Sequence, residues 1–346
     1  MSARKVEPDI AVRHPRETSA LFGHREAEAA LLSAYRSGRI AHAWLIGGPQ
    51  GIGKATLAYR MARFVLAHRD PLATAVRTAD SLFVDPDDHV SRLVASGAHG
   101  GLLTLERSAN DKGVLRTVIT VDETRETISF FGSTAAVDGW RVCIVDTVDE
   151  LNPNAANALL KILEEPPQQS LFLLISHAPA RVLATIKSRC RRLSLRALST
   201  GDVVHAAAEA TGIAAADPAL RDAAAVSEGS VARTLMLLGG DGLQLQTRTA
   251  ALLATLPRVD PNELHALGDA LGTSDRVALA TFLDSIERWV AERLHQGDAN
   301  AELPRLARLA EVWEKIVRAA RDTESYNLER KPLVFSVFSL LAEATR

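Results

Sequence analysis

Nine residues, Gly48-Pro49-Gln50-Gly51-Ile52-Gly53-Lys54-Ala55-Thr56, constrain this chain more than any other stretch. An apolar run, Ala43–Ile46, leads in, and a helical pattern through Leu57, Met61, Phe64 and Val65 leads out. Strand, glycine loop and helix is the order of a phosphate-binding loop. Glycines let backbone N–H groups close around phosphate oxygens, the helix N-terminus favours negative charge, and a lysine at the offset of Lys54 reaches the β and γ phosphates. The alternative, a plain glycine-rich helix entry, explains neither the strand nor the lysine. The match stops after Lys54. A Ser or Thr hydroxyl for Mg²⁺ belongs at position 55, where the chain has Ala55; Thr56 comes about 100° further round the helix and is left a phosphate contact at most.

A second half-site lies downstream. Arg141-Val142-Cys143-Ile144-Val145-Asp146 is an unbroken apolar run ending in an acid, as expected of a central parallel strand covered on both faces, with Asp146 at the edge where open α/β sheets bind ligands. A water-polarising glutamate should follow the acid; Thr147 stands there, with Asp149 and Glu150 beyond the strand end. Two catalytic positions are thus empty of function. The spacing predicts nucleotide-binding geometry at Gly48, Gly51, Gly53, Lys54, Thr56 and Asp146 without hydrolysis.

The rest of the pattern fits an α/β core with parallel strands and flanking helices. Helices are expected within 16–37, over 54–67, near 88–96, over 123–131 with Asp122 as N-cap, from Asn152-Pro153 to Pro166-Pro167, and over 179–186. Strands are expected at 102–105, 117–121 and 171–176. After Leu198 strands cease: short helices at 199–211, 218–227 and 230–238 precede longer ones at 245–256, 261–271, 274–295, 303–322 and 331–344, a change of period that marks a domain boundary. The divisions expected are 1–196 as core, 197–243 as a helical lid and 244–346 as an all-α domain. Asp85, Asp87, Asp88, His89 and His99 invite a metal site, but acids beside a proline read as turn and cap, and their spacing fits no ligand set.

Forty Lys and Arg against 42 Asp and Glu argue against a chain that grips DNA unaided. Two cysteines, Cys143 and Cys190, build neither a disulfide framework nor a cysteine zinc site, which points to a reducing cytoplasm. The first 16 residues lack the apolar core of a signal peptide, and no stretch is apolar for long enough to span a bilayer.

Taken in order, Asn157-Ala158-Leu159-Leu160-Lys161-Ile162-Leu163-Glu164-Glu165-Pro166-Pro167, the strand ending at Ser176, and Ser188-Arg189-Cys190 resemble the clamp-loader branch of the AAA+ superfamily. Arg39-Ile40-Ala41-His42-Ala43-Trp44 before the glycine loop supports this. The resemblance implies that Arg189 is an arginine finger acting in trans on a neighbouring subunit's ATP, Ser176 a sensor, and the C-terminal helices a collar. It also implies partners: motor ATPase subunits and the delta subunit in a hetero-pentameric ring, with the sliding clamp and primer-template DNA reached through the complex at the nucleoid-associated replisome, and no membrane. Gly229-Ser230-Val231-Ala232-Arg233 departs from the second-sensor pattern by placing alanine where arginine belongs. Many relatives carry a four-cysteine zinc module after the glycine-loop helix; 67–100 has no cysteine, so no zinc is expected, no cofactor is required, and ATP or ADP binding is at most vestigial. Other readings from the same residues are an active AAA+ ATPase, a motor-type loader subunit, and a DNA-binding adaptor.

Overall fold

The computed structural model describes residues 13–108, 116, 118–132, 139–239, 241–272, 276–296, 303–326 and 328–345. The chain divides into two compact units, Ala11–Thr234 and Leu235–Arg346.

In the first unit a 3₁₀ turn at Pro15–Glu17 precedes α1 (Arg25–Arg36), β1 (Ala43–Gly47), α2 (Lys54–Ala67), α3 (Thr74–Thr78), α4 (His89–Ala95), β2 (Leu102–Glu106), α5 (Val121–Gly132), β3 (Arg141–Asp146), α6 (Pro153–Glu164), β4 (Ser170–Ser176), α7 (Ala184–Lys187), β5 (Arg191–Ser194), α8 (Thr200–Thr211) and α9 (Pro218–Val226). Helix α10 (Val231–Leu238) crosses the division. The sheet is all parallel, in order β2-β3-β4-β1-β5. Alternation along the central strands feeds two cores. Trp44, Ile46, Val142, Ile144, Leu171, Leu173 and Ile175 pack towards α1, α2 and segment 68–101. Ala43, Leu45, Cys143, Val145, Phe172 and Leu174 pack towards α5, α6 and α7. Burial on both faces is why these strands read as unbroken apolar runs.

Three expectations are corrected, and one strand was missed. Residues 118–120 form no strand, only a single bridge between Ile119 and Leu151; Thr117 lies outside the described residues. The β-branched run is overridden by a capping box: Thr120 Oγ1 accepts the Glu123 N–H at 3.5 Å, and Glu123 Oε2 accepts from the Thr120 backbone N–H at 2.5 Å and from its hydroxyl at 2.8 Å. Thr120, not Asp122, is therefore the N-cap. Asp122 pairs at the surface with Arg125, 3.0 Å. The helix expected over 179–186 is reduced to Ala184–Lys187, because Leu183 is extended (ψ 135°) at its N-cap. Finally, β5 was not expected at all.

The acids of 85–88 do local work: Asp85 Oδ1 accepts from Asp87 N–H at 2.8 Å, and Asp88 caps α4 through Val90 N–H at 2.7 Å. The second unit holds α11 (Gly242–Ala254), α12 (Pro261–Ala270), α13 (Arg276–Gln296), α14 (Leu303–Ser325) and α15 (Arg330–Ala344). Leu279, Phe282, Ile286, Ile316, Val334 and Phe338 form its core. No helix among the described residues is long and apolar enough to cross a membrane.

Candidate functional site

Because the strands are parallel, β1, β3 and β4 end at one edge, with Gly47 opposite Ser176 and Asp146 opposite Ile175. That edge gathers the glycine loop, Asp146 and Ser176, as the sequence predicts. The chain's own groups bond to carbonyls of the loop. Gly51 (φ 76°) turns its carbonyl to the first turn of α10, accepting Val231 N–H at 2.8 Å and Ala232 N–H at 3.3 Å. Those are helix N-terminal donors of the kind that otherwise need a ligand. A Cβ on Gly51 would lie 2.7 Å from Ala232 Cβ, so only glycine admits the start of α10 this closely. Lys54, 3% exposed, donates from Nζ to Gly48 O at 2.7 Å and to Pro49 O. Burial lowers its ammonium to about 8, against the opposing pull of Asp146 and Asp149. Ala55 packs on the core and Thr56 is half-buried in the first turn of α2. Arg233 is buried, 3.7 Å from Glu228.

Acids crowd the other half of the edge. Glu106 stands opposite Asp146 in the β2–β3 register. Burial first, then Glu106 and Glu150, raise Asp146 to about 6, while Lys54 and Arg107 pull it down. Arg107 pairs with Glu150 at 2.9 Å. Asp149 is not free to stand in for the missing glutamate, because Ser176 Oγ donates to it at 2.8 Å and His177 N–H at 2.5 Å. Three participants had no sequence signal: His177, Arg107 and His24. The last sits in the left-handed region (φ 55°) as N-cap of α1 and places Nε2 2.7 Å from Ile52 O.

Arg189 is elsewhere. β5 begins at Arg191, opposite Trp44 near the start of β1, so Arg189 lies at the N-terminal edge of the sheet, a strand length of about 15 Å from the glycine loop. Ser188 ends α7, with Oγ donating to Thr185 O at 3.0 Å. The Arg189 guanidinium donates to Thr185 O at 2.9 Å and to Glu164 Oε1 at 2.6 Å. Cys190 packs against the core. At the same edge His42 Nε2 lies 3.1 Å from Leu163 O, tying the end of α6 to the approach of β1.

Residues 23–199 match a sequence family described as DNA polymerase III, delta subunit. The chain is 31% identical to subunit delta' of DNA polymerase III from Escherichia coli strain K12, over 80% of this chain and 78% of that one. It belongs to the delta-prime family of DNA polymerase III subunits. The delta' subunit of Pseudomonas aeruginosa is 40% identical over 150 residues, 43% of this chain; the match spans about two-fifths (42%) of that relative's length. E. coli subunit tau is 28% identical, over 74% of this chain and 38% of its own. A gamma subunit-related protein from Thermotoga maritima superposes with TM-score 0.47 at 16% identity, covering 91% of this chain and 99% of that one.

The charges at this sheet edge are expected to set a pH dependence. Folding raises the Asp146 carboxyl from 3.8 to about 6, so its stabilising contribution is complete below about pH 4 and is lost as pH rises through about 6. His177 is lowered from 6.5 to about 4, by burial and then by Lys54; its contribution is present above 6.5 and lost as pH falls through about 4. The two slopes oppose each other between pH 4 and 6. Each displacement has a ceiling of about 3 kcal/mol, which partial solvent exposure brings to about 1–2 kcal/mol. Asp146→Asn is expected to leave stability rising with pH across this window, and His177→Gln to leave it falling. Urea midpoints from pH 4 to 7 check this; parallel profiles in both variants would refute it.

Proposed function

We propose that the chain is a non-hydrolysing subunit of the DNA polymerase III clamp loader that lends Arg189 to the ATP site of a neighbouring motor subunit and helps load the sliding clamp onto primed DNA. The observation carrying this reading is the separation of the two halves of the chemistry. A glycine loop closed by its own lid, with Ala55 and Thr147 at the positions of catalysis, lies at one sheet edge, and Arg189 lies at the other, too far away to serve it. A guanidinium stabilises charge on a transferring phosphoryl group whichever subunit supplies it. On this reading 1–196 is the core, 197–243 the lid and 244–346 the collar of a hetero-pentamer with motor subunits and delta. Sensor Ser176, bonded to Asp149, has no nucleotide to sense, and any ATP or ADP binding is vestigial.

Purified alone with Mg-ATP, the chain is expected to show no turnover above background and a nucleotide Kd no tighter than about 1 mM. Brisk hydrolysis, or micromolar binding by calorimetry, would overturn the reading. A motor-type subunit would need the Mg²⁺ hydroxyl and the glutamate that this chain lacks.

A further inference from the structure

The stretch Arg181–Arg196 carries six cations, at Arg181, Lys187, Arg189, Arg191, Arg192 and Arg196, and no acid. Among the described residues only Arg189 of these six makes an ion pair. Its partner is Glu164, which ends α6, a place where the helix dipole disfavours negative charge. Glu165 is a second exposed carboxylate at the same helix end but is not paired with it. The guanidinium is held on two sides: Thr185 O takes Nη1 at 2.9 Å, and Glu164 Oε1 takes Nη2 at 2.6 Å. Arginine grips a phosphate through a planar edge of adjacent N–H groups, and the carboxylate occupies part of that edge.

We infer that Glu164 is a positioning residue that parks the Arg189 guanidinium and must be displaced before it can engage a triphosphate in the neighbouring subunit. The inference rests on the proposed finger role. The pair is half open to water, with side chains 33% and 50% exposed, so it is weak enough to be exchanged. Glu164 competes in two ways. It blocks Nη2 directly, and its charge repels an incoming phosphate. Both raise the ATP concentration that the neighbouring site requires, and neither touches the chemical step.

The experiment is steady-state ATP hydrolysis by the complete reconstituted ring containing Glu164→Gln, Glu165→Gln, Arg189→Ala or the Glu164→Gln/Arg189→Ala pair. Glu164→Gln is expected to lower KM for ATP about two- to fivefold with kcat changed by less than about twofold. Glu165→Gln should match wild type, and the pair should match Arg189→Ala alone. A KM that is unchanged or raised in Glu164→Gln, or an equal fall in Glu165→Gln, would overturn the parking role while leaving the finger standing. Wild-type turnover in Arg189→Ala would remove the finger, and the parking role with it. A thermal unfolding scan of each isolated chain separates these outcomes from misfolding, since an exposed pair has little hold on the fold.

Discussion

On the proposed finger role, Arg189→Ala is expected to leave the chain folded and to cut ATP hydrolysis at the neighbouring site it would serve by about 10³-fold or more. The stability cost should be small. The Glu164 pair is half exposed, and such pairs contribute about 0–1 kcal/mol; the Thr185 carbonyl keeps the Ser188 hydroxyl at 3.0 Å. On the proposed finger role the functional cost is large, because a guanidinium aimed at a transferring phosphoryl group acts where charge builds in the transition state. In a ring with several ATP sites, steady-state turnover falls by at least the share of that site, and single-turnover measurement reads the full loss. The loss should appear in kcat more than in KM, as for an interaction strengthened in the transition state. Arg189→Lys should rescue little, since an ammonium keeps the charge but not the planar fork. Turnover equal to wild type in the assembled ring would sink the assignment.

The central sheet was legible because its strands are buried on both faces, and a run such as Val142-Cys143-Ile144-Val145 has no other comfortable place in a folded chain. The edge strand was not. In Arg191–Ser194 only Leu193 is partly buried, and Arg191 lies over the Trp44 ring at 4.8 Å, a contact supplied by tertiary structure rather than by pattern. Thr117–Val121 misled for the opposite reason, as β-branched propensity yielded to the Thr120-Val121-Asp122-Glu123 cap. At the site, the gathering of Gly48, Gly51, Gly53, Lys54, Asp146 and Ser176 followed from strand order alone. Its occlusion could not, because the donors to Gly51 O come from Val231 and Ala232, some 180 residues on. One clue was available: Glu164 and Glu165 break the dipole rule at the end of α6, and Arg189 answers the first of them.

The cysteine-free segment 68–101 needs an anchor, and the buried pair Glu28–Arg60 supplies one. Glu28 Oε1 accepts Arg60 Nε at 3.0 Å, Arg60 Nη2 at 2.6 Å and Leu82 N–H at 3.0 Å, while Arg60 Nη1 donates to Ser19 O. One ion pair thus joins α1, α2, the segment before α1 and the segment that seats Val76, Leu82, Val84 and Val94 in the core. A turn along, Arg63 is also buried, and burial and then Arg60 hold its guanidinium below the usual arginine range. Removing Glu28 therefore strands Arg60 beside a second buried cation. Glu28→Ala is expected to cost about 3–5 kcal/mol, the penalty for leaving one half of a buried pair, and Glu28→Gln less, because an acceptor remains for Leu82 N–H. Adding Arg60→Met to Glu28→Ala should recover part of the loss, since the uncompensated charge departs with the guanidinium. A double-mutant cycle by urea unfolding measures the coupling. A single-variant cost below about 1 kcal/mol, or strict additivity, would show the pair to be passive.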